Sequence, residues 1–227
     1  MHNMEYISLG SSCSVAYQLQ KNNKRNCAYP FDWIRTNKLD DITNVIENNF
    51  NEYIESCKKI NESYSYPISN NNDFPTISNN NNKVSIIMKN KYNIKFYHDF
   101  DSDIIEDKVI QKYNRRINRF MDIIKSNKTL YFIRDELNIK NINIKSIEKF
   151  IDIIHNININ SNIKFKLIII LHNINNKKHE LLEYNNKNVY IINDNNEFGD
   201  WIRPNVDWLN IFNFILKKMI NKLRLIN

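Results

Sequence analysis

FKLIIILHN, residues 165 to 173, is an apolar run broken only by Lys166 and closed by a histidine and an asparagine. So nearly continuous a stretch of Ile and Leu suits a strand buried on both faces of a parallel sheet. NVYIIND (188–194) resembles it, TLYFIRDE (129–136) reads as a third strand, and EYISLG (5–10) as a fourth. Helical patterns stand between them. IKSIEKFIDIIHNI (144–157) is one. The stretch 102–127 is another, with Ile105, Val109, Tyr113, Ile117, Phe120 or Met121, and Ile124 at helical intervals and Asp101 or Ser102 as its cap. Residues 38–58 predict a helix through Leu39, Ile42, Val45, Ile46, Phe50, Tyr53, Ile54 and Cys57. A last helix starts near Asn205, just after Pro204. VSIIM (84–88) and YNIKFYHDF (92–100) are short β-like runs. Strand–helix alternation predicts a three-layer αβα domain around a mostly parallel central sheet. Patterning leaves the strand order open.

The 227 residues read as a single domain, 1–227, interrupted at 61–83 by an Asn-rich low-complexity loop or insertion. About one residue in five is Asn, and Ile and Lys are also abundant, a bias that marks an AT-rich genome. The net charge of +7 invites a nucleic-acid partner, but the basic residues are scattered and no nucleic-acid motif accompanies them. Nucleic acid is therefore not the expected partner. Cys13, Cys27 and Cys57 show neither disulfide-framework nor metal-ligand spacing, so neither a metal nor a cofactor is expected. With no secretory h-region and no run of ~18 apolar residues, the chain reads as soluble and cytoplasmic.

Glycine occurs twice, at Gly10 and Gly199, and so sparing a chain should keep it where φ is positive or backbone comes close. Gly10 ends the first strand, directly before Ser11, Ser12, Cys13 and Ser14. Ligands of open α/β sheets bind beyond the carboxyl ends of strands, and the N–H groups of a following helix favour an anion there. For Cys13 this predicts a lowered thiol pKa and an oxyanion hole. The alternative is Ser11 or Ser12 as a plain N-cap, with Cys13 a small buried hydrophobe.

A base can come from His98, in FYHDF, or from His172 at the end of the IIIL strand; Asp99 could orient His98. His2, His155 and His179 are weaker choices. AYPFDW (28–33) is too aromatic for an ordinary exposed loop; either Pro30 and Phe31 wedge it against the core and leave Asp32 aimed at something specific, or the segment is plain packing with Asp32 as a cap. Arg134, Asp200, Arg203 and Asp207 reach the same strand edge, as an Arg–Asp pair or an anion clamp.

SLGSSCSVAYQL with a following Arg, then YPFDWI, then HDF, resembles the papain-like cysteine peptidase family of bacteria and large DNA viruses, a family of otherwise unknown function. The likeness is strongest over residues 6–35 and 96–100. It implies Cys13 as nucleophile, His98 as base, Asp99 or Asp32 as orienting carboxylate, and a peptide or other acyl substrate. The ISLGSS string is also similar to the first block of SGNH-type serine esterases, which implies Ser12 as nucleophile. No histidine after His179 matches their C-terminal Asp-x-x-His pair. A binding or host-interaction protein without catalysis is the third reading.

Overall fold

The computed structural model describes residues 4–61, 86–157, 164–172, 180–194, 202–204 and 206–213. Its main element is a four-stranded parallel sheet built from β1 (Met4–Ser8), β6 (Thr129–Glu136), β7 (Lys164–His172) and β8 (Val189–Asp194), in that order. Helices α1 (Ser14–Lys21), α2 (Leu39–Glu47), α3 (Asp107–Ile124), α4 (Ile144–Ile157) and the short α5 (Glu180–Glu183) connect the strands. A second, antiparallel sheet joins four two-residue strands: β2 (Ile34–Arg35), β5 (Lys95–Phe96), β4 (Met88–Lys89) and β3 (Lys58–Lys59), again in spatial order.

Both faces of the parallel sheet are buried, and side chains alternate between them. Leu130, Phe132, Leu167, Ile169 and Leu171 face α2, α3, α4 and the small sheet in one continuous apolar cluster. Tyr6, Tyr131, Ile133, Ile168 and Ile170 face Val15 and Leu19 of α1, together with Trp208, Ile211 and Phe212 of the helical residues 208–213. The chain is thus a three-layer α/β fold around a mostly parallel sheet, as the apolar runs predict.

Two predicted helices are trimmed. The one read over 38–58 stops at Glu47, where Phe50 N–H donates to the Val45 carbonyl at 2.9 Å and Asn49, Phe50 and Glu52 take φ near +50°. Even so Phe50, Tyr53, Ile54 and Cys57 are buried as their spacing suggested. The helix read from 102 begins at Asp107, because Ser102 Oγ instead accepts the Ile104 N–H in a local turn. Of the insertion expected at 61–83, residues 62–83 lie outside the described residues; so do Gly199, Asp200, and the last predicted helix beyond 213.

Candidate active site

Because β1, β6, β7 and β8 are parallel, their carboxyl ends share one edge, and the turn after β1 opens there. Gly10 has φ +34°, and a Cβ on it would stand 2.5 Å from the Phe31 carbonyl oxygen and 2.9 Å from Ile34 Cγ1. The glycine meets both demands, positive φ and close approach. It lets the 28–33 segment press directly on the turn. Pro30 and Phe31 are buried, with the Phe31 ring against Phe50, Tyr53 and Phe120.

Buried groups hold the turn from below. Arg134, fully buried, donates to the Leu9 carbonyl at 3.0 Å and to Thr36 Oγ1 at 2.8 Å, while Thr36 donates to the Gly10 carbonyl at 2.7 Å. Its Nε pairs with Glu136 at 2.7 Å. Ser11 Oγ donates to the Asp135 carbonyl oxygen, and Ser14 Oγ to the Asp135 carboxylate at 3.1 Å. Ser12 Oγ lies 2.8 Å from Ser14 Oγ and accepts the Ser14 N–H at 3.3 Å. The N-cap position of α1 is Cys13 itself, neither Ser11 nor Ser12, and no side chain caps it.

Cys13 is half-buried, and its sulfur lies 3.7 Å from His98 Nε2. His98 comes from the other sheet, two residues beyond β5. The antiparallel register that pairs Ile34 with Phe96 brings Trp33 beside it, ring edge to ring face at 6.4 Å between centroids. Arg25 stacks over Trp33 at 5.6 Å and is gripped by Asp32 through Nε at 3.0 Å and Nη2 at 2.7 Å. Asp32 therefore reaches the imidazole through Arg25 and Trp33. Burial pushes its carboxyl upward, against the Arg25 charge. The Asp99 carboxylate takes a salt bridge from Lys112 on one oxygen and the Tyr113 hydroxyl on the other at 2.7 Å.

The lowered thiol pKa expected at the helix start is not found. Burial pushes Cys13 up to about 12, with Arg35 pulling it down and Asp99 and Asp32 adding to the rise. Burial lowers His98, with Asp99 opposing. Both partners are consequently driven toward their neutral forms. His172, the other candidate base, sits in a separate buried cluster: it contacts Asp135, reaches Asp194 at 3.0 Å, and packs against Arg203, which pairs with Asp135 at 3.2 Å. Arg203 thus pairs with Asp135, a carboxylate outside the expected set of Arg134, Asp200, Arg203 and Asp207. Among the described residues no group of His, Cys, Asp and Glu is arranged to hold a metal ion.

Sequence reasoning left Trp33, Asp135 and Arg35 without roles. Asp135 carried a usable signal, since Arg134, Asp135 and Glu136 put three consecutive charges at the end of an otherwise apolar strand.

A family model described as "Putative papain-like cysteine peptidase" matches residues 4–175, a span that includes Cys13, Asp32, His98, Arg134 and His172. The chain is also similar to an uncharacterized protein of Acanthamoeba polyphaga mimivirus, 33% identical over 217 residues, covering 91% of this chain and 96% of the viral one. No solved structure matches. Among the described residues no helix is long and apolar enough to cross a membrane.

Proposed function

Because the chain belongs to that papain-like cysteine peptidase family, we propose that it is a thiol-dependent hydrolase acting on a peptide or other acyl group through Cys13 and His98. The observation that carries this reading is the 3.7 Å separation of the Cys13 sulfur from His98 Nε2, in reach for proton transfer once substrate tightens the site. The resting pair is neutral. As sulfur attacks the acyl carbon, its proton passes to His98 Nε2. The Cys13 backbone N–H, close enough to its own sulfur to lower the thiol pKa, holds the developing oxyanion. His98 then protonates the leaving group. In the second half it takes a proton from water, which attacks the thioester and returns the thiol.

Asp99 favours the imidazolium by its charge, with both oxygens anchored on α3. Asp32 positions the ring through Arg25 and Trp33. Gly10, Ser11, Ser12, Ser14 and Arg134 build the turn. The serine-esterase reading lacks comparable support, since Ser12 Oγ is engaged with Ser14 and His98 faces the sulfur.

Site-resolved labelling tests the proposal. Iodoacetamide should modify Cys13 much faster than buried Cys57, and His98→Ala should slow Cys13 about a hundredfold or more, in line with the usual contribution of a general base. Fluorophosphonate should leave Ser12 unmodified. Unchanged Cys13 labelling in His98→Ala, or a Ser12 adduct, overturns the reading.

A further inference from the structure

The small sheet carries a row of basic residues that its folding does not explain. Its register pairs Arg35 with Lys95, Lys95 with Lys89, and Lys89 with Lys58. Directly paired residues point to the same face, so one face of the sheet presents Arg35, Lys95, Lys89 and Lys58 side by side, at about 4.8 Å per strand. The neighbouring row, Ile34, Phe96 and Met88, is fully buried and supplies the packing. Like charges directly opposite one another destabilise a sheet.

The row ends at a cavity beside the turn that carries Cys13. A cavity of about 250 Å³ is lined by Arg35, Lys95, Ser11, Thr36, Tyr97 and Glu136, among others. Ser11 stands two residues before Cys13, and Tyr97 immediately precedes His98. Glu136, the acidic wall residue, is already paired with buried Arg134, which also bonds Thr36. Arg134 Nη2, buried behind that wall, has no hydrogen-bond partner among the described residues. Arg35 is near enough for its charge to act on the Cys13 thiol.

We propose that the row Arg35–Lys95–Lys89–Lys58 is a binding track for an acidic peptide segment of the substrate, which it leads through the cavity to Cys13. This deepens the hydrolase reading and rests on it. Carboxylates of the segment replace the repulsion along the row with charge-assisted contacts.

The test uses the full-length chain and two labelled peptides, acetyl-hexaglutamate and acetyl-hexaglutamine amide, with anisotropy as readout. Hexaglutamate should bind more tightly, weaken with added salt, and slow iodoacetamide labelling of Cys13. Lys58→Gln and Lys89→Gln should each weaken it about two- to fivefold, the range expected of exposed ion pairs. Their Tm should hold or rise, because each removes a like charge from the row. Equal binding of the two peptides, or no loss in the lysine variants, overturns the track and leaves the hydrolase reading standing. Tighter binding of a dT12 oligonucleotide than of hexaglutamate, weakened by the same substitutions, also overturns it, in favour of a nucleic-acid partner. The hydrolase reading is decided separately, by the His98 dependence of Cys13 labelling.

Discussion

At Gly10 a methyl group would meet a carbonyl oxygen at 2.5 Å, which no side-chain rotation relieves. Gly10→Ala is expected to cost about 2–3 kcal/mol, from positive φ and overpacking together, and to lower Tm in a thermal melt. A second prediction at this scale concerns protonation. With the thiol at about 12 and His98 below its ordinary value, wild-type labelling of Cys13 depends on neutral imidazole. Its rate should fall as pH drops through the depressed His98 pKa, so the acid limb lies below the usual imidazole value of ~6.5. In His98→Ala that limb should vanish. The rate should instead climb tenfold per pH unit toward about 12, as expected of an unassisted thiol. A wild-type limb above the ordinary imidazole range would contradict the neutral pair.

Among elements, the segment between α1 and β2 links Asp32, Arg25 and Trp33 in one chain of contacts that ends on the His98 ring. Edge-to-face aromatic contacts contribute about 0.5–1.5 kcal/mol. Trp33→Leu should therefore slow Cys13 labelling up to about tenfold, with little change in Tm, since Trp33 is only half-buried. Trp33→Phe should restore most of the rate. A merely structural tryptophan would move Tm first and leave the pH profile of labelling unaltered. Arg25→Gln should act in the same direction, because it releases both Asp32 and the indole face.

For the whole molecule, the decisive feature is that strands β1, β6, β7 and β8 end together over buried charge. Asp135 touches Ser11, Ser14, His172 and Arg203, thereby tying the Cys13 turn to β7 and to the segment at 202–204. Breaking a buried ion pair by neutralising one partner typically costs about 3–5 kcal/mol. Asp135→Asn is expected to lose stability in that range in urea unfolding, and a loss below about 1 kcal/mol would show the cluster to be dispensable. The apolar run at 165–173 pointed to a parallel, doubly buried strand by itself, because burial on two faces leaves no polar alternation. The single glycine before Cys13 likewise marked the turn, since only a backbone demand keeps glycine in so glycine-poor a chain. The sequence did not determine which imidazole meets the sulfur. His98 closes a β-like run in the sequence much as His172 closes another, and only the pairing of β2 with β5 carries His98 across to Cys13, while the Asp135–Arg203 cluster claims His172. Nor did it determine the thiol's protonation, because a helix start favours the thiolate while desolvation opposes it. How deeply the turn lies under the 28–33 segment is set by packing between residues far apart in the chain.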